Sequence, residues 1–421
     1  MDLTRIRLRG VLLRFCTALL PVFFCCAFAQ EPPAAMNGRH WVGTWAAAMT
    51  PAKTAQQFKD QTIREIVHTS IGGSSVRIRL SNTFGTQPLT ITAAHIALSS
   101  SGTGAGIHSD QTLTFSGQQS VTIPAAATVL SDPASLSVPA AGDLAISLFF
   151  AGAASATTVH PSATQTSYFA PGNAVGAPTL EKPAVIHDWP FLSGVDVIPS
   201  GPADAVVAFG DSITDGYRST DDANHRWPDF LAGRLSAQHK TVGVLNEGIG
   251  GNRVLHDGEG IGRPEFGRNA LSRFDRDVLA PPGAKYLVVL EGINDIGIPT
   301  TNRDQAEEVS ANEIIAGLRQ LIERGHEHGL RVYGGTLTPI GGSTYFTTAD
   351  EAKRQAVNTW VRTGGAFDGV IDFDAAVRDP NQPTRMIPGD DSGDHLHPND
   401  AGYKAMADAA DLALFTVKSR D

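Results

Sequence analysis

The sequence predicts an all-β, jelly-roll-like sandwich followed by an α/β domain on a five-stranded parallel sheet. Three observations lead there. Apolar and polar residues alternate in short runs through roughly the first half. Continuous apolar runs separated by helix-like stretches replace them after about residue 204. The chain, at 421 residues with 42% hydrophobic content, is long enough for two cores.

Ahead of both, Arg5, Arg7, Arg9 and Arg14 precede an apolar run from Phe15 to Phe24 and a small-residue site at Ala27-Phe28-Ala29. Residues 1–29 are therefore expected to be a signal peptide, cleaved before Gln30 and sending the protein to the periplasm or beyond. Pro21 interrupts a run already short for a membrane anchor, no later segment reads as a span, and no stable membrane insertion is expected. A lipid anchor on Cys25 or Cys26 lacks the small residues that such processing favours. With Cys16, these are the three cysteines of the chain, so the mature protein is expected to hold no thiol nucleophile, disulfide or cysteine metal site. Removing residues 1–29 takes away four arginines and one aspartate and moves the net charge from −10 to −13. Such an acidic protein is a poor partner for nucleic acid.

Residues 38–190 carry the sandwich pattern. Val76, Ile78 and Leu80, then Leu89, Ile91 and Ala93, then Leu144, Ile146, Leu148 and Phe150 recur with period two, the mark of half-buried strands. Gly72-Gly73-Ser74-Ser75 and the stretch from Ser99 to Gly106 supply turns. Trp41, Trp45 and Trp189 could form a glycan platform, although core is the commoner fate of tryptophan. A Pro/Gly/aromatic stretch from Lys182 to Asp204 suggests a linker over 191–203.

The α/β domain is expected over 204–421. Its strand candidates are Ala205 to Phe209, Val242 to Leu245, Tyr286 to Leu290, Val332 to Leu337 and Val370 to Phe373, each apolar throughout as a buried parallel strand requires. One intervening helix places Ile314, Ile315, Leu318, Leu321 and Ile322 on a single stripe. Another opens with Thr348 and Glu351 spaced as a capping box and is expected to bury Ala356, Val357, Trp360 and Val361. A last helix is expected around Tyr403 to Phe415.

Four strand ends carry chemistry. After the first strand comes Gly210-Asp211-Ser212-Ile213-Thr214-Asp215-Gly216, a serine at the edge where ligands bind in open α/β sheets. Taken alone, Asp211 or Ser212 is equally a helix cap. After the second comes Asn246-Glu247-Gly248-Ile249-Gly250-Gly251-Asn252, whose glycines let backbone N–H groups approach a bound oxygen; a phosphate loop would need a following Lys-Ser or Lys-Thr, which is absent. After the third comes Gly292-Ile293-Asn294-Asp295, where an Asn amide can donate to a developing oxyanion or simply close an Asx-turn. After the last comes Asp394-His395-Leu396-His397-Pro398. A serine hydroxyl needs an imidazole to take its proton, and the imidazole needs a carboxylate to fix its tautomer; Ser212, His397 and Asp394 fill those roles. The competing reading is a metal site from Asp394, His395, His397 and Asp400. The chain has no G-x-S-x-G elbow.

Together the blocks GDSIT, NEGIGGN, GIND and DHLHP, in this order and each after a strand, resemble the SGNH (GDSL) hydrolase superfamily. That resemblance implies a three-layer, flavodoxin-like α/β/α fold and a cofactor-independent carboxylic ester hydrolase. It places the nucleophile on Ser212, the base on His397, its orienting acid on Asp394, and the oxyanion hole on the Ser212 and Gly251 amides and Asn294, with Gly250 the neighbouring candidate. No metal is implied. The stretches Asn224-His225-Arg226-Trp227-Pro228, Arg273-Phe274-Asp275-Arg276-Asp277-Val278 and Ser392 to Tyr403 look like a narrower branch of esterases linked to xylan degradation. The implied substrate is a short-chain ester, notably acetyl groups on plant polysaccharide. Lysophospholipid or aryl esters are the alternative, and a carbohydrate-binding protein with an inactive hydrolase domain is the rival from another class. No oligomeric state is read from the sequence.

Overall fold

A computed structural model describes residues 40–100 and 105–417. The expected signal peptide, its cleavage site and all three cysteines lie outside these residues.

The β-rich half contains β1 (Val42–Ala46), β2 (Gln61–His68), β3 (Val76–Ser81), β4 (Ala93–Ser99), β5 (Ile107–Leu113), β6 (Thr128–Leu130), β7 (Asp143–Phe150), β8 (Ser167–Pro171), β9 (Ala184–Ile186) and β10 (Leu192–Val197). They form two antiparallel sheets, ordered β1-β10-β3-β6 and β9-β8-β2-β7-β4-β5. Period two sets the inner face of β3: Val76, Ile78 and Leu80 are fully buried, whereas Arg77 and Arg79 reach outward to Asp196. Strand β7 departs from that pattern, because its intervening Ala145, Ser147 and Phe149 are buried too. The buried guanidinium of Arg64, on neighbouring β2, explains it. Arg64 donates to Ser147 Oγ (2.9 Å) and to the carbonyls of Ala105, Ala174, Val175 and Ala177, drawing two loops over what would otherwise be a solvent face.

The expected linker at 191–203 is corrected. Leu192, Val195 and Val197 are fully buried in β10, which pairs with β1 on one side and β3 on the other. Proline and glycine at the borders of this segment hid a central strand between them. The described residues accordingly gather as one unit rather than two tethered ones.

The second half is built on β11 (Asp204–Gly210), β12 (Val242–Gly248), β13 (Ala284–Leu290), β14 (Arg331–Gly335) and β15 (Gly369–Ile371). All are parallel, in the order β12-β11-β13-β14-β15. Helices α1 (Ser212–Asp215), α2 (Trp227–Ala237), α3 (Ile293–Asn302), α4 (Ala311–Glu327), α5 (Thr348–Thr363) and α6 (Asp400–Asp408) connect or flank these strands. In α4 the stripe Ile314, Leu318, Leu321 and Ile322 is buried as its spacing requires. Helix α5 starts one residue earlier than expected: Thr347 accepts from the Asp350 amide, while Glu351 pairs instead with the buried Arg354. Val357 and Val361 are buried, Trp360 half-buried, and Ala356 faces solvent. The last helix ends at Asp408, short of Phe415, and a single 3-10 turn at Leu412–Leu414 follows.

An edge strand exposes unpaired amides, and here the β-rich half meets them. On the outer side of β12, the Val244 N–H donates to Ser70 Oγ (2.9 Å). Gly43 of β1 sits against the Leu245 side chain, and its N–H donates to Pro282 O. Trp45 and Trp189 pack edge to face at 4.9 Å in this buried seam, which makes them core. Trp41 instead lies under the Arg77 guanidinium.

Candidate active site

Strands β11, β12 and β13 run in register and end together, so the segments that follow Gly210, Gly248 and Leu290 collect at one edge. Asp211 stops β11 and caps α1, its carboxylate accepting from the Ile213 N–H at 2.9 Å. Ser212 is thus the first residue of a helical turn, where a backbone N–H has no intrahelical acceptor and is free for a ligand.

The loop before α6 brings in His397. Ser212 Oγ lies 2.9 Å from His397 Nε2, and His397 Nδ1 lies 2.8 Å from Asp394 Oδ2. The other Asp394 oxygen accepts from the Leu396 and His397 amides, a tight turn that explains the three-residue spacing. Burial opposes charge on Asp394, but the hydrogen bonds from the His397 side chain and from both amides outweigh it and hold the carboxyl well below its usual range. The group is a carboxylate at every working pH. The Tyr217 ring meets the imidazole edge to face at 4.8 Å, and the exposed Arg218 lies 3.5 Å from Asp394.

The two remaining site candidates come from the other strand ends. Gly251 has φ +77°, and a Cβ there would come within 2.4 Å of the Phe266 ring, so the turn admits only glycine at this position. Gly250 carries no such restriction. Asn294, almost fully buried in the first turn of α3, donates through Nδ2 to Asn252 O (2.9 Å), and its Oδ1 accepts from the Tyr345 hydroxyl (2.8 Å). An amide nitrogen has two N–H groups, so one remains for a substrate oxygen.

The structure disperses the alternative metal set. Only His397 and Asp394 face each other. His395 binds Asp391, and Asp400 binds His225 and the Thr220 amide.

Several residues of the site had no signal in the chemistry-bearing blocks. Tyr217, Phe266 and Tyr345 line it from loops. His160, from the β-rich half, binds Asp215 at 3.1 Å and so braces the turn that carries Ser212. Arg273 stood out only within the branch resemblance. Its side chain is fully buried and uses all five donors, on Gly210 O, Glu247 O, Asn252 Oδ1, Asp277 and Glu291. One guanidinium therefore ties the ends of β11, β12 and β13 to the Gly250–Asn252 turn. The i, i+4 pair with Asp277 was the visible part of this pattern.

Around Arg273 lie buried carboxyls whose charge is disfavoured. Burial, reinforced by nearby Asp295, pushes Asp211 up to about 7; burial pushes Asp295 up to about 6, and Glu247 and Glu291 well above the ordinary carboxyl range. One oxygen each of Asp211, Glu247 and Glu291 has no hydrogen-bond partner among the described residues. These shifts fix a sign. Above pH about 4 the unfolded chain has released protons that the folded chain still holds, so stability falls as pH rises towards 7, by about 1.4 kcal/mol per pH unit for each such group. The depressed Asp394 acts in a separate window, its contribution being lost only below pH about 4. Thermal unfolding between pH 4.5 and 8 is expected to show a declining melting temperature. Asp211→Asn keeps the capping oxygen but cannot titrate, so it should give a shallower decline; an unchanged slope would refute the assignment.

Beside Phe266 and Tyr345 an open groove of about 540 Å³ runs between Ile261, Arg263, Ile298 and Thr301. The Arg263 guanidinium stacks 4.4 Å from the Phe266 ring.

Residues 208–405 match the model of the GDSL-like lipase/acylhydrolase family. Among solved structures, the chain is similar to the acetyl xylan esterase AlAXEase, with 21% identity over 49% of this chain and 96% of that one, at a TM-score of 0.37. It is also similar to the acetylxylan esterase of Geobacillus stearothermophilus, with 21% identity over 50% of this chain and 93% of that one, again at 0.37. No curated protein sequence matches it. Residues 208–405, just under half of the chain, thus carry a GDSL-like lipase/acylhydrolase domain, and the protein is a carboxylic ester hydrolase.

Proposed function

We propose that the protein hydrolyses short-chain carboxylic esters through an acyl-enzyme on Ser212, and that its natural substrate is an acetylated plant polysaccharide such as xylan. The observation that carries the mechanism is the chain of contacts Ser212 Oγ–His397 Nε2–Asp394, at 2.9 and 2.8 Å. With Nδ1–H donated to Asp394, Nε2 is left as the acceptor that takes the serine proton. Ser212 Oγ then bonds to the ester carbonyl carbon. The resulting oxyanion is met by the Ser212 and Gly251 amides and by Asn294 Nδ2. Collapse breaks the C–O bond to the alcohol, which leaves with the proton held by His397. Water, deprotonated by the same imidazole, adds to the acyl carbon; collapse breaks the bond from that carbon to Ser212 Oγ, which takes back the proton from His397 as the acid leaves.

Two observations and a proposed export support the substrate. The branch resemblance lies in segments that build the site, since Arg273 and the 392–403 loop are among its parts. The rim offers an exposed Tyr217 and Arg218 beside the triad and Phe346 next to Tyr345, the mixture of aromatic faces and polar tips that suits sugar rings. An exported chain beginning at Gln30, as we propose, meets polysaccharide outside the cytoplasm.

The test is hydrolysis of p-nitrophenyl esters of increasing acyl length by the mature protein, followed by acetate release from acetylated xylan. Activity that is highest on acetate, fades beyond butyrate and extends to xylan is the expected result. A preference for long acyl chains would favour the lysophospholipid alternative. Xylan retention without turnover of any ester would favour a binding protein.

A further inference from the structure

An oxyanion donor on a side chain is useful only if the side chain is held. Asn294 can turn about its terminal torsion, and a flipped amide would present its carbonyl oxygen to the substrate oxyanion, two negative groups face to face. The Asn252 carbonyl holds one N–H of that amide. Its oxygen is held from the other side by the Tyr345 hydroxyl at 2.8 Å. A phenol has one proton to donate, and donating it to Oδ1 fixes which end of the amide faces which way. Burial pushes the Tyr345 ionisation far above its usual range, so the hydroxyl stays a donor.

The ring that carries the hydroxyl is itself seated. It lies flat on Gly297, one turn along α3 from Asn294, where a Cβ would come within 2.0 Å of the ring carbons. Only glycine leaves room there. The Tyr345 backbone is tied by its N–H to Ser343 Oγ, which in turn donates to Ile340 O. Tyr345 also lines the open groove.

We propose that Tyr345 is a positioning residue: its hydroxyl, placed by the ring's seat on Gly297, locks Asn294 in the orientation that offers its free N–H to the oxyanion. The inference rests on the acyl-enzyme reading above and adds to it how the third oxyanion donor is kept in place.

The experiment is a double-mutant cycle on p-nitrophenyl acetate with kcat and KM measured separately, beside a Ser212→Ala control and a melting curve for each variant. Asn294→Ala is expected to lower kcat by about 10²–10³-fold. Tyr345→Phe, which removes one oxygen and no volume, is expected to lower kcat about tenfold with KM within twofold of wild type. The decisive arm is Tyr345→Phe on the Asn294→Ala background, where no further loss is expected because the group it positions is gone. Gly297→Ala is a second handle that leaves the hydroxyl in place but denies the ring its seat; it should reproduce the kcat loss and add nothing to Asn294→Ala. Wild-type kcat in Tyr345→Phe, an effect on KM alone, or an equal loss on the Asn294→Ala background would overturn the inference. If Ser212→Ala is inactive, those failures refute the role of Tyr345 alone; turnover retained by Ser212→Ala would overturn the acyl-enzyme reading and the inference with it.

Discussion

Ser212→Ala is expected to reduce ester turnover by roughly 10⁴–10⁶-fold, the range seen when the nucleophile of a serine hydrolase is removed while the oxyanion donors remain. Nothing else nearby supplies the missing function. Cysteine occurs only within residues 1–29, and Thr214, the other hydroxyl of the turn, is buried with its Oγ1 unpartnered rather than bonded to a base. The fold should hardly notice the change. Ser212 Oγ has its one bond to His397 and plays no part in the cap, which Asp211 provides. The melting temperature is therefore expected to stay within about 2 °C of wild type, as for a substitution that touches no core packing or buried network. Residual activity above a hundredth of wild type would move the chemistry to another group, and a collapsed fold would show that Ser212 is structural.

Arg273→Met is expected to have the largest effect on stability, about 3–5 kcal/mol, because removing one partner of a buried charged network leaves the others uncompensated. Asp277 would lose one of its two arginines, and the Gly210 and Glu247 carbonyls and Asn252 Oδ1 would lose buried donors. Arg273→Lys should rescue only part of this, since three donors on a point charge cannot satisfy five acceptors spread around a planar fork. Both variants are expected to lose activity as well, because the same guanidinium fixes the strand ends that carry Ser212 and the Gly250–Asn252 turn. Urea unfolding of the two variants checks the expectation. A midpoint within error of wild type for Arg273→Met would mean that the network contributes nothing net and that the strand ends are held by the sheet alone.

The parts of this protein legible in the sequence share one property: their signal is local. A parallel strand buried on both faces is mostly apolar, so β11 through β14 show in the order of residues, while the short β15, with Val370 exposed, shows only as a brief apolar run. The same holds for period two in β3, whose outward arginines alternate with buried Val76, Ile78 and Leu80. The blocks around Ser212, Gly251 and Asn294 were legible because each follows a strand within a few residues, and the block around His397, well beyond the end of β15, because it is a motif short enough to read. Asp394 was legible because a three-residue turn closes its bond to His397.

What stayed hidden depends on partners far apart along the chain. Strand β10 read as a linker because its pairing with β1 and β3 lies more than a hundred residues away and its borders carry Pro and Gly. The second buried face of β7 exists only because Arg64 gathers two loops over it. His160 and Asp215, 55 residues apart, meet across the seam between the two halves. Tyr345 and Asn294 meet across 51 residues.

By itself, then, the sequence determined the α/β sheet, the likeness to the acylhydrolase domain and which residues to examine as a candidate site, since those rest on backbone propensity, burial periodicity and short motifs. Only the tertiary structure decided that the β-rich half seals the edge of the parallel sheet, that Arg273 ties the strand ends together and that Tyr345 holds the Asn294 amide. Satisfying a buried donor or acceptor is a requirement of three-dimensional proximity, and spacing along the chain does not record which distant group will meet it.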